Sequence, residues 1–308
     1  MQFIKSDVNI NFIGKRKIAF FVSVAMIGIS VISLILHGGP KQGIDFAGGT
    51  LIQVKFLTPI KIDGIKAGLQ SIGLGKSSVQ SFGEQDSNEY LIRTDSSVMA
   101  AEGFSLDVEK ALASATGGDV EIRRMEMVGA QVGQDLREKA LFAMFYALLF
   151  ITIYISGRFE LKWMISAVMA VALIGAVYIF TLFSVSIPFL IAAALIVSLV
   201  LFWFLELKYA MGAIVALIHD VVITVGIFSI LDKEFTLAII AALLTIIGYS
   251  LNDTIIVYDR IRENLRKYHK NPLEFIINRS INETLSRTIL TSATTLFVVI
   301  TLFVLGGG

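Results

Sequence analysis

The chain has 308 residues, 55% of them hydrophobic and 17% charged, with a net charge of +1. Soluble domains carry about 25% charged residues, so this balance points to a membrane protein. The absence of cysteine removes disulfides, thiol nucleophiles and cysteine-ligated zinc, and His37, His219 and His269 fall in no metal-ligand spacing. No metal, no cofactor and no enzymatic catalysis are expected.

Residues 1–37 place Lys15, Arg16 and Lys17 before the apolar run Ile18–Leu36, which has the roughly 20 residues needed to cross a bilayer. This run is too long for a signal-peptide core and leads into His37-Gly38-Gly39-Pro40, not a small-residue cleavage site, so it reads as a retained anchor. The stretch GIDFAGGT at 43–50 follows, with Gly43, Asp45, Gly48 and Gly49 as turn residues. It lacks the GxxxxGK[ST] pattern, so a structural turn and no nucleotide site is expected.

Residues 38–128 alternate polar and apolar positions and predict an external domain. Its elements are a strand at 51–56, a helix at 60–72, strands at 78–82 and 90–94, a helix at 98–115 and a strand at 120–125. That order, βαββαβ, is the ferredoxin-like split motif, so the fold class is a polytopic α-helical membrane protein with one external α+β domain.

The rest of the chain divides into a second membrane helix within 129–160, a hairpin of two spans in 161–206, two further spans in 207–258, a basic segment at 259–286 and a last span in 287–308, seven spans in all. With the N-terminus inside, Lys15, Arg16, Arg158, Lys208, Arg260, Arg262, Arg266 and Lys267 fall on the cytoplasmic side, and the short external loops hold only Lys233. The basic segment reads as cytoplasmic membrane-loop charge, not a nucleic-acid patch. Asn271, Pro272 and Glu274 form a helix start resembling a capping box, and apolar residues at helical spacing to Leu285 predict a helix lying along the membrane surface. The hairpin 161–206 has no ionisable residue between Lys162 and Glu206 and is expected at the periphery.

Ionisable groups at membrane depth are costly and mark functional sites. Asp253 and Asn252 stand inside the apolar run 238–258, and Arg287 opens the last span, where it can meet Asp253 as a proton-coupled pair. Asn252 is a secondary candidate, as are His219 and Asp220, adjacent near the middle of their span. Neighbouring helix residues point about 100° apart, so a relay and polar glue between helices both remain open for them.

Five segments in order resemble the SecF family of the resistance-nodulation-division superfamily: GIDFAGGT at 43–50, VGAQVGQDLREKAL at 128–141, ALIHDVVITVG at 216–226, IGYSLNDTIIVYDRIREN at 247–264 and SINETLSRTILTSATTLF at 280–297. The resemblance implies a subunit of the bacterial inner membrane that works with a SecD-like protein and the SecYEG channel, with YajC and YidC as further candidate partners. It would draw on the proton-motive force to assist export of unfolded polypeptide, with Asp253 and Arg287 implicated in coupling. Alternative readings are a stand-alone proton-driven exporter of the same superfamily and a passive membrane scaffold. The chain departs from the family twice. Residues 161–206 separate RFE from LKYAMGA as an inserted hairpin, and the chain stops at Gly306-Gly307-Gly308, where family members continue into a final span.

Overall fold

The computed structural model describes residues 8–83, 87–94, 103–160, 163–182 and 187–305. In chain order the helices are α1 (Arg16–Leu36), α2 (Ile44–Ala47), α3 (Ile62–Ser71), α4 (Phe104–Thr116), α5 (Ala130–Glu160), α6 (Trp163–Leu182), α7 (Ile187–Phe204), α8 (Lys208–Ile230), α9 (Leu237–Lys267) and α10 (Leu273–Leu305). The strands are β1 (Gly49–Phe56), β2 (Ser78–Phe82), β3 (Glu89–Thr94) and β4 (Val120–Val128). The chain folds as two compact units, one of residues 42–140 with 234–237 and one of the remaining helices.

The first unit is an antiparallel sheet in the order β2-β3-β1-β4, the arrangement a βαββαβ chain produces. Period-two alternation along β1 turns Ile52, Val54 and Phe56 inward, and they pack with Ile65 and Leu69 of α3 and Leu112 of α4. Burying side chains of that size contributes about 1.5–3 kcal/mol each. The predicted helix at 98–115 begins at Phe104; its stretch 98–102 lies outside the described residues.

In the second unit α1 packs along α8 through small polar residues. Ser33 Oγ and Ser229 Oγ are 2.9 Å apart, and a Cβ at Gly226 would fall 2.1 Å from Ser30 Cβ, so only glycine permits this approach. A second core joins Phe145, Leu149 and Ile155 of α5 to Phe202 of α7, Ala213 and Ile214 of α8 and Leu251 of α9. Five helices among the described residues, those at 13–36, 130–158, 208–230, 237–267 and 273–305, are long and apolar enough to cross a membrane. The chain is a multi-pass membrane protein.

Two expectations are corrected. The hairpin is not peripheral throughout: Phe202 of α7 is 1% exposed and belongs to the core, while Met164 of α6 is 84% exposed. An apolar helix beside α5 and α8 buries more of its surface there than at an outer position, and the absence of charge carried no information about place. The segment after Pro272 is not a separate surface helix, because α10 runs unbroken for 33 residues from Leu273. No glycine or proline interrupts it. Glu274 pairs with Arg16 at 2.5 Å in place of closing a capping box.

The N-terminal stretch is tied to α10 by two asparagines one turn apart. Asn278 Oδ1 accepts from the backbone N–H groups of Phe12 at 2.8 Å and Ile13 at 3.2 Å, and Asn282 Oδ1 accepts from that of Ile10 at 2.8 Å. Both amide groups donate back to the Ile10 carbonyl, at 3.1 and 2.9 Å.

Candidate functional site

Asp253 sits on α9 two turns before the polar end of that helix begins at Asp259. Its Oδ1 atom is buried and makes no hydrogen bond. In the helical unit one other buried side-chain polar atom among the described residues lacks a partner, Thr288 Oγ1, and it belongs to the residue after Arg287. A group left in that condition costs about 1–3 kcal/mol. Arg287 itself is exposed and makes no direct ion pair with Asp253.

One turn before Asp253, Ser250 Oγ donates to Asp220 Oδ2 of α8 at 2.6 Å, and Asp220 Oδ1 lies 2.8 Å from His219 Nδ1. The hydrogen bond spans the 100° between adjacent helix positions. Asp220 therefore serves at once as a link between α8 and α9 and as the partner of a titratable imidazole. Asn252 is exposed and does not join this group.

The sequence pattern did not reveal the polar network where α9 and α10 meet. Asn264, 1% exposed, donates to Ser280 Oγ at 3.0 Å and to Glu283 Oε2 at 2.8 Å, and Glu283 also accepts from Arg279 at 2.8 Å. Arg158 at the end of α5 reaches Asp259 at 2.6 Å. Nothing in the spacing of these residues separates them from ordinary loop charge, and Thr288 is equally silent in the sequence.

The glycine stretch at 43–49 does more than turn. Gly48 and Gly49 have φ of +75° and +117°, which closes the step from α2 into β1. Gly43 N–H donates to the Phe235 carbonyl at 2.8 Å, and a Cβ on Gly43 would stand 2.9 Å from that oxygen. Asp45 Oδ2 accepts from the N–H of Leu237 at 2.9 Å and so satisfies an orphan donor at the first residue of α9. Arg93 pairs with Glu234 at 2.6 Å and donates to the Gln42 carbonyl at 2.8 Å, which holds the same stretch from its other side.

Residues 107–195 and 171–308 match the family described as protein export membrane protein SecD/SecF, C-terminal, and residues 33–59 match the SecD/SecF GG motif. The chain is 43% identical to protein translocase subunit SecF of Magnetococcus marinus, across 100% of this chain and 84% of that protein. The chain belongs to the SecF branch of the SecD/SecF family. It is 38% identical to the SecF subunit of Calditerrivibrio nitroreducens, across 100% of this chain and 86% of that one. Among solved structures it is similar to SecDF of Thermus thermophilus, described as a translocon-associated membrane protein, with a TM-score of 0.68 and 28% identity. That match covers 99% of this chain and 35% of the SecDF chain. The GG motif of the family is the stretch that seats residues 234–237.

Proposed function

We propose that this SecF-like subunit works with a SecD-like protein and the SecYEG channel to assist export of unfolded polypeptides across the bacterial inner membrane, using the proton-motive force. Its N-terminus is cytoplasmic and its sheet domain faces outward. The observation that carries the reading is the buried, unpartnered Asp253 Oδ1 inside an apolar helix, one turn from the Ser250–Asp220 link.

The physical logic is short. A carboxylate in that setting is expensive to keep charged when its counter-ion is distant and expensive to keep neutral when the counter-ion is near. Proton arrival and departure at Asp253 thereby select between two packings of α9 against α10. The Ser250–Asp220 hydrogen bond passes the difference to α8. Arg287, exposed where α10 passes into its apolar half, supplies the charge that a SecD-like half-bundle would enclose.

Membrane vesicles carrying this subunit with its partner test the proposal through export of a radiolabelled precursor under an imposed proton gradient. Asp253→Asn keeps the shape and cannot titrate, and it should reduce gradient-dependent export to background with assembly unchanged. Arg287→Lys retains charge without the planar fork and should also impair export. The double variant should be little worse than either single one, because the two act as a unit. Wild-type gradient dependence in Asp253→Asn would refute the assignment.

A further inference from the structure

The hairpin 161–206 repeats its surroundings at a constant step. Glu160-Leu161-Lys162-Trp163 recurs 46 residues later as Glu206-Leu207-Lys208-Tyr209. Moved by the same step, α6 (Trp163–Leu182) falls at 209–228, inside α8 (Lys208–Ile230), and the last turns of α5 fall on those of α7. The SecD/SecF C-terminal family matches 171–195 twice, as the end of 107–195 and as the start of 171–308. A stretch present in two successive copies produces that overlap.

Packing shows the step more directly. α5 and α7 end at one level on α9: Arg158 at the end of α5 reaches Asp259 at 2.6 Å, and Tyr209, just beyond α7, meets the Tyr258 ring at 5.5 Å. The two helices therefore run the same way. One small cavity between them, of about 10 Å³, is lined by Phe145, Leu148, Leu149 and Thr152 of α5 and by Ile191, Ala194, Leu195 and Ser198 of α7, the same four positions shifted by 46. These are i, i+3, i+4 and i+7 positions on both helices, the spacing of a parallel two-helix seam. Thr152 Oγ1 donates to the Leu148 carbonyl at 2.8 Å and Ser198 Oγ to the Ala194 carbonyl at 2.6 Å, and both residues are 2% exposed.

We infer that residues 161–206 are a tandem duplicate and that the α5 face bearing Phe145, Leu148, Leu149 and Thr152 is a homotypic helix-pairing surface, filled in this chain by the copy of α5 that is α7. The partner this surface fits is a second copy of the same helix, and the hairpin keeps that place from a second chain. The duplicate carries no proton chemistry: the counterparts of His219 and Asp220 are Leu173 and Ile174.

Two experiments decide it. Exchanging the faces in the full chain, with Phe145→Ile, Leu148→Ala and Thr152→Ser on α5 and Ile191→Phe, Ala194→Leu and Ser198→Thr on α7, should leave the thermal midpoint in detergent at the wild-type value. The α5 changes alone should lower it. A full exchange as damaged as the half exchange overturns the homotypic surface. The chain contains no cysteine, so Leu149→Cys introduces the sole thiol. Joining Glu160 to Leu207 in that background should give a disulfide-linked dimer on oxidation in membranes, whereas the full-length Leu149→Cys chain should stay monomeric. A deleted chain that inserts and remains monomeric overturns the inference about the partner. If the deleted chain does not accumulate, the face exchange alone decides between the two outcomes.

Discussion

Asn264 shows how much a single amide can hold. It is 1% exposed and donates to both Ser280 and Glu283, so one side chain on α9 fixes two positions of α10. Asn264→Leu should lower the stability of the helical unit by about 1–3 kcal/mol, the cost of leaving buried acceptors short of a donor. Asn264→Asp should cost more, because it sets a second carboxylate against Glu283. Thermal midpoints in a common detergent rank the two. On the exposed link between α8 and α9, Lys41 Nζ donates to Asp232 Oδ2 at 2.6 Å and holds that carboxyl below its usual range. A depressed folded-state value stabilises above the unfolded pKa and fades as pH falls through the folded one. The Lys41–Asp232 tie should therefore loosen only in acid, read as faster proteolysis of the link below the ordinary carboxylate range, and Asp232→Asn should remove that pH dependence.

Elements with a strong period were legible in the sequence, and contacts across the chain were not. β2 begins and ends where alternation places it, at Ser78 and Phe82. Each long apolar run became a helix. The boundary between the basic segment and the last span did not exist, because a change from polar to apolar residues on a helix-competent stretch changes its surroundings and not its backbone. The GG motif was readable as a turn, yet its seat for residues 234–237 joins positions 192 apart in sequence, as between Asp45 and Leu237. No local pattern encodes that distance. Asp45→Ala removes the acceptor at the start of α9 and should cost about 0.5–2 kcal/mol, the range for loss of a helix cap. Hydrogen exchange should rise at the amides of Leu237 to Ile240, and Asp45→Asn, which keeps an oxygen acceptor, should stay near wild type.

For the whole molecule, the apolar character of the chain was plain from the residues, but which apolar faces are shared was not. The second half of α10 is exposed along its length, with Phe297 at 72% and Phe303 at 89%. A helix so uncovered, and carrying Arg287, fits the half-bundle reading. Extraction in mild detergent should recover a SecD-like protein with this one, and Phe297→Arg should abolish that recovery while leaving membrane insertion intact. Recovery unchanged by the substitution would place the partner on another face.

The unbroken length of α10 gives the asparagine clamp a mechanical meaning. At about 1.5 Å per residue the helix is a rod of roughly 50 Å, gripped near one end by Asn278 and Asn282. Arg287 stands about 10 Å beyond the middle of that grip and Leu305 about 38 Å beyond it. A rod that pivots at its grip acts as a lever, so a shift of Arg287 toward or away from Asp253 emerges roughly three to four times larger at the Leu305 end. Under the proposed coupling, a proton's small local displacement at Asp253 would be geared up by helix length alone.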